Sequence, residues 1–211
     1  MTAMSVRIAT HAGSWYSDHN DELSSQLQGY LNETGRISGP IPNARIVISP
    51  HAGYRYCGLT MAHTYASLDL NARTKRIFII GPSHHVYFKN KVLLTKFKRL
   101  ETPLGDLTVD QKIIDQLVEG GDKKFFDFMD GETDLNEHSL EMQFPMLLQT
   151  LRWRKIPPEQ INVIPLLVSH NSTDVDYAIG RVLKQYLADP TVLFILSSDF
   201  CHWGRRFGYT G

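Results

Sequence analysis

The sequence predicts an α/β fold, with a mainly parallel central sheet flanked by helices, in a single domain over residues 1–211. Two observations carry this. Four short apolar runs, RIVISPH (45–51), RIFIIGPSHH (76–85), INVIPLLVSH (161–170) and VLFILSSDFCH (192–202), each break into small or polar residues and then a histidine. Apolar runs of this length bounded by turn residues read as strands covered on both faces. Segments of helical periodicity alternate with them, as in a parallel sheet with crossover helices. Open α/β sheets bind ligands beyond the carboxyl ends of their strands. His51, His84, His85, His170, Asp199 and His202 are therefore expected to meet at one sheet edge.

Along the chain, HAGSWY (11–16) sets small residues beside two aromatics, so it either tucks a loop against the core or brings His11 to the site. Leu23, Leu27, Tyr30 and Leu31 recur at helical spacing over 18–33. Gly35 to Pro42 is then a loop, because Gly39-Pro40 and Pro42 prevent continuation. After the strand at 45–49, Gly53 and Gly58 in PHAGYRYCG permit tight backbone paths, and Tyr54 and Tyr56 either wall a pocket or cap the sheet. A helix is expected over 59–68. Residues 91–97 read as a further strand, at an edge given its lysines. A Pro/Gly turn at 102–106 leads to Thr108, which with Gln111 resembles a capping box for a helix carrying Ile113, Ile114, Leu117 and Val118 and ended by Gly120-Gly121. Residues 122–136, charged and aromatic, read as a long surface loop able to act as a lid.

EHSLEMQFP (137–145) opens a core-facing helix bearing Leu140, Phe144, Leu147, Leu148 and Leu151, with Pro145 tolerable only in its first turns. Glu137, His138 and Glu141 are either supporting partners of a metal site or an exposed cap with an i,i+3 charge pair. Ser172 or Thr173 caps a last helix running to Leu187, which Pro190 separates from the final strand.

Composition narrows the function. Lysine plus arginine and aspartate plus glutamate stand at 22 each, so no basic field draws a nucleic-acid backbone. No apolar run is long enough to span a bilayer, and residues 1–10 lack the pattern of a signal peptide. Cys57 and Cys201 form neither a CxxC pair nor a disulfide framework, which fits a reducing compartment: the cytoplasm, with the nucleus as a second location. The expected partner is a small molecule, a metal or a protein surface. Nine histidines in a neutral chain favour the metal.

His51 and His84, from different strand ends, are the candidate metal ligands; residue type alone selects no metal among iron, zinc and copper. Asp199 and His202, three residues apart, suit proton handling, with the carboxylate orienting the imidazole. A rival arrangement, a nucleophile at Ser197, Ser198 or Cys201 activated by His202, lacks the GxSxG elbow.

THAGSWY, PHAGYRYCG, RIFIIGPSHH, TPLGDL, EHSLEMQFP and SSDFCHWGRRF, in that order over nearly the whole chain, resemble the Memo family of mediators of cell motility, in wording nearest its fungal members. The resemblance implies a fold like that of class III extradiol dioxygenases and a non-haem site for iron or copper with redox activity. It implies His51 and His84 as metal ligands and His202 with Asp199 in the place of the catalytic base; the residue pattern itself adds His11, His85, Glu137 and His138 as candidate supporting residues. It also implies binding of phosphotyrosine-type peptides or a signalling protein, and roles in motility or, in fungi, invasive growth. The family's third ligand is a cysteine in a segment after SSDFCHWG, whereas this sequence stops at Gly211. About the last quarter of a family member is then expected to be missing, leaving an apolar sheet face exposed and the metal site short of a thiolate. Two other readings follow: a binding module that captures peptides in a vestigial site, and an active ring-cleaving dioxygenase.

Overall fold

The four apolar runs lie side by side in the sheet, three of them inside it and the first, β2, at its edge. The computed structural model describes residues 4–35, 39–120 and 124–210. In chain order it contains β1 (Met4–Arg7), α1 (Asn20–Thr34), β2 (Ile46–Ser49), α2 (Tyr54–Ser67), β3 (Arg76–Pro82), β4 (Val92–Leu94), β5 (Phe97–Thr102), β6 (Gly105–Val109), α3 (Gln111–Glu119), β7 (Phe126–Phe128), α4 (Gly131–Asn136), α5 (His138–Glu141), α6 (Gln143–Trp153), β8 (Asn162–Val168), α7 (Thr173–Leu187) and β9 (Val192–Ser197). Among the described residues the strands make one sheet in the order β1-β5-β6-β8-β3-β9-β2, with β4 joined to β8 and β7. The stretch β8-β3-β9-β2 is parallel throughout, so all four carboxyl ends lie at one edge. Ile77, Phe78 and Ile79 of β3 and Val163, Ile164, Leu166 and Leu167 of β8 are fully buried, which is why these strands read as unbroken apolar runs. No described helix is long and apolar enough to cross a membrane.

The structure corrects several expectations, each for a local reason. The helix expected over 59–68 begins at Tyr54. Gly58, expected to permit a tight backbone path, lies inside α2, where a Cβ would clash with the Tyr30 ring, so the glycine lets α1 and α2 pack closely. Tyr54 is buried and donates its hydroxyl to the Met142 carbonyl, whereas Tyr56 is exposed. Residues 91–97 are not one edge strand. The Thr95 hydroxyl accepts the Phe97 N–H and breaks the run, leaving β4 between β8 and β7. Thr108 lies in β6, and α3 is capped instead by Asp110, whose carboxylate accepts the Ile113 N–H. Of the pair expected to end α3, Gly120 is its C-cap and Gly121 lies outside the described residues. Residues 124–136 are no lid: Phe125, Phe126 and Met129 are buried, β7 pairs with β4, and Asp134 of α4 meets the buried Arg7. Asp122 and Lys123 lie outside the described residues.

The outer edge at β2 exposes Ile46 (50 %) and Ile48 (46 %).

One close approach sets the site. A Cβ on Gly81, near the end of β3, would lie 2.6 Å from Ser139 Oγ and 3.1 Å from Leu140, so only glycine lets α5 rest on this strand. Ser139 Oγ then donates to the Pro82 carbonyl at 2.8 Å. Gly81→Ala is expected to lower stability by about 1–3 kcal/mol through overpacking. By contrast Gly180→Ala, in α7 with nothing within 4 Å of the new methyl, is expected to raise stability by about 0.5–1 kcal/mol. Denaturant titration of both variants checks the pair; a neutral Gly81→Ala would contradict the packing account.

Candidate metal centre

His51 follows β2, His84 follows β3, and His138 is the first residue of α5, which Gly81 allows onto the same strand end. Ring centroids lie 5.1 Å apart for His51 and His84, 5.6 Å for His51 and His138, and 4.1 Å for His84 and His138. One ligand-capable nitrogen from each lies within 4.8 Å of the other two, a group able to hold a metal ion. His138, expected from its sequence only to support the site, stands beside His51 and His84 as a third possible ligand.

An imidazole ligates through a nitrogen lone pair, so the proton on its other nitrogen matters. For His84 that question is decided by Glu137. Burial alone would raise the Glu137 pKa, but hydrogen bonds from the His84 ring and from the Ser139 and His84 amides hold it at about 2. The ionised carboxylate accepts from His84 Nδ1 at 2.9 Å, from His84 N at 2.8 Å and from Ser139 N at 2.8 Å. His84 is therefore protonated on Nδ1, and that bond to Glu137 raises its pKa.

For His51 the proton is assigned through a chain of buried groups. Tyr65 donates its hydroxyl to Gln143 Oε1 at 3.0 Å, which orients the amide. Gln143 Nε2 donates to the Pro50 carbonyl at 2.9 Å and to Ser197 Oγ at 3.1 Å. The Ser197 hydroxyl spends its one proton on the Ser139 carbonyl at 2.7 Å. Toward His51 Nδ1, 2.8 Å away, Ser197 can only accept. Neutral His51 thus carries its proton on Nδ1 and a lone pair on Nε2. The same commitment removes Ser197 as a nucleophile for His202.

Burial, then the neighbouring His84, pushes His138 down to about 4, and burial lowers His51, so both are neutral near pH 7. Trp15 stacks on His138 with centroids 4.2 Å apart and 26° between planes. His11 stands behind, 6.0 Å from His138, with Nδ1 2.8 Å from Glu141. Glu141 is fully buried and also accepts from Arg7 Nη1 (2.5 Å), the His11 amide (2.9 Å) and the Tyr16 hydroxyl (2.6 Å). Arg7, itself buried, ties this group to Asp134 at 2.8 Å.

Other expected site residues fall around this core. His85 is exposed, 6.3 Å from His138. His170 does not join the cluster: its amide bonds the Phe88 carbonyl and its ring packs on Tyr87 at 4.4 Å. His202 has 57 % of its side chain exposed at the mouth, and Asp199 lies between it and His51. The Cys57 thiol donates to the Ala52 carbonyl, and burial pushes it up to about 12, so it offers no thiolate. Cys201 is exposed. Sequence reasoning missed Arg7, Trp15, Tyr65 and Gln143 as parts of this assembly. Nothing in their local patterns distinguishes them from ordinary core residues.

A family described as "Memo-like protein" matches residues 7–211. The chain belongs to the Memo family. It is 61 % identical over 213 residues to "MEMO1 family protein MHO1" of Saccharomyces cerevisiae, covering 99 % of this chain and 62 % of that protein. It is 43 % identical over 207 residues to "Protein MEMO1" of Danio rerio (98 % and 66 % covered) and 43 % identical over 204 residues to that of Homo sapiens (97 % and 65 %). This Memo-family chain thus spans less than two thirds of the length of these relatives.

The carboxylate beneath the site makes the Memo-family chain acid-sensitive. Burial would raise Glu141, but donors led by His11 and Arg7 hold it at about 2 against an ordinary 4.5. A depressed carboxylate pKa means the unfolded chain takes up the proton first. The stabilisation is whole above about pH 4.5 and is lost as pH falls toward 2, on the order of 3 kcal/mol. Denaturant titration across that window measures it. Glu141→Gln should flatten the slope and lower stability near neutrality, because Arg7 then stays buried with one carboxylate fewer.

Proposed function

We propose that this chain holds a non-haem metal ion, iron or copper, on His51, His84 and His138, and that the site serves redox chemistry linked to cell motility or invasive-growth signalling. The observation that carries the reading is the buried acceptor behind two of the rings. Ser197 takes the Nδ1 proton of His51 and Glu137 that of His84, which leaves Nε2 on each free to ligate. Metal-binding histidines are held in this way, the outer acceptor setting tautomer and ring orientation. Imidazole suits iron and copper alike, and His138 supplies a third neutral donor where the family resemblance implied a thiolate.

When bound, the metal would supply one-electron chemistry. The chain's own residues do the rest. Glu137 and Ser197 hold the ligands, Trp15 covers His138 from solvent, and His202 at the mouth exchanges protons with water. The free cysteines fit the cytoplasmic location expected of the chain. A second reading, capture of a phosphotyrosine-type peptide or a signalling protein, is favoured by the exposed Phe200 (82 %), Trp203 (65 %), Phe207 (53 %) and Tyr209 (55 %) beyond Asp199. It predicts peptide binding that survives removal of all metal and the His202→Ala change.

Metal content after anaerobic Fe(II) or Cu(I) loading tests the leading reading. About one ion per chain is expected, with His51→Ala and His84→Ala losing it while keeping the circular dichroism of the unaltered chain. Ser197→Ala should bind about 10–100-fold more weakly, because His51 loses the acceptor that sets its tautomer. Unchanged metal content in both histidine variants would refute the proposal.

A further inference from the structure

We propose that the free edge of β2 docks a second copy of this chain, the two strands pairing antiparallel about a twofold axis at Val47. The inference is independent of the metal reading.

Among the described residues β2 ends the sheet, hydrogen-bonded to β9 on one side only. The register decides which backbone groups are left over. Phe194 N–H donates to the Arg45 carbonyl at 2.8 Å and Ser198 N–H to the Ser49 carbonyl at 2.9 Å, so the odd-numbered residues turn their backbone to β9. Ile46 and Ile48 turn theirs outward. Among the described residues, the Ile48 carbonyl alone of these outward groups has a partner, the Thr64 hydroxyl of α2 at 3.2 Å, and a carbonyl can accept twice.

Edge strands are ordinarily blunted by a charge, a proline, a bulge or a covering element. β2 reads IVIS and carries neither charge nor proline. Arg45, the charge nearest the edge, spends its guanidinium on the Leu187 and Asp189 carbonyls at 2.8 and 2.9 Å. Ile46 and Ile48 stand half-exposed on one face of the strand, and α2, whose Thr64 reaches the edge, exposes Tyr56 and Leu59. Together these groups offer on the order of 500 Å² per copy, about 1,000 Å² in all, which is the size of a weak but specific interface.

A closed dimer requires the same patch on both copies to be complementary to itself. The register meets that requirement in one way. An axis at Val47 sets Ile46 of each copy opposite Ile48 of the other, so every outward group finds a partner. Moving the axis to Ile46 would bring in Ala44, whose carbonyl already accepts the Asp69 amide at 2.9 Å and whose amide donates to the Ile41 carbonyl at 3.0 Å. Moving it to Ile48 would bring in Pro50, which has no N–H to give. With the axis at Val47, the two Val47 Cα atoms face one another about 4.5 Å apart, whereas the two Ile46 Cα atoms are separated by more than about 7 Å.

Sedimentation velocity on the metal-free chain tests the association. A dimer is expected with a midpoint of about 1–100 μM. Ile48→Lys, which puts an ammonium group beside the axis in each copy, should raise that midpoint at least about tenfold while the circular dichroism stays that of the unaltered chain. Cysteine cross-linking then tests the register, in a Cys201→Ser background that leaves the buried Cys57 as the one native thiol. Val47→Cys should yield a disulfide-linked dimer on mild oxidation, and Ile46→Cys should not, because its separation exceeds disulfide reach. A single-chain mass at concentrations about tenfold above the expected range would overturn the proposal. So would a midpoint unmoved by Ile48→Lys, equal cross-linking at 46 and 47, or open assemblies larger than a dimer. A monomer whose Ile46 and Ile48 amides resist hydrogen exchange would place another segment of the chain on this edge and overturn the dimer as well.

Discussion

The site depends on the Glu137 carboxylate. One oxygen accepts from the His84 ring and from the Ser139 amide at the start of α5, and the other accepts the His84 amide. Its backbone carbonyl accepts from Arg7 Nη2 at 3.1 Å. A single buried acid therefore caps the helix that carries His138, sets the tautomer of His84 and joins both to the buried arginine of β1. Bringing a charge this deep is costly unless every lone pair finds a donor. Here the donors are the groups whose positions matter.

The same economy recurs around it. Ser139 lies in the gap Gly81 leaves on β3, donates to Pro82 and offers its carbonyl to Ser197, which in turn receives the His51 proton. Packing and protonation are thus one problem: a methyl at 81 would push on the residue that anchors the Ser197 hydroxyl. Beneath this layer Glu141 gathers Arg7, His11 and Tyr16, so the loop holding Trp15 over His138 is tied to a buried ion pair as well as packed into the core through Tyr16.

The sheet centre was legible from the sequence because β3, β8 and β9 are buried on both faces and, like the edge strand β2, run into small or polar residues before a histidine. That grammar also led to His51 and His84. It misled for His170, whose strand end has the same pattern but whose backbone is tied to Phe88 and whose ring packs on Tyr87. Residues 124–136 looked like a loop because their charges are many, yet Arg7, 127 residues away from Asp134 in sequence, neutralises the buried Asp134. No local pattern reveals so distant a partner. Gly58 read as a glycine for a tight backbone path for the same reason: the Tyr30 ring that requires it belongs to another helix. Ser197 stood out only as a hydroxyl near a histidine, and its role emerges from the order of donors in three dimensions.

The central claim is that buried acceptors set the protonation of the ligand imidazoles before any metal arrives. Nitrogen-15 NMR of the metal-free chain, at a pH above the raised His84 pKa, reads that protonation directly. The account predicts that His51 and His84 are both neutral with the proton on Nδ1 and an unprotonated Nε2. A His51 or His84 ring protonated on Nε2, or exchanging freely between the two forms, would contradict it.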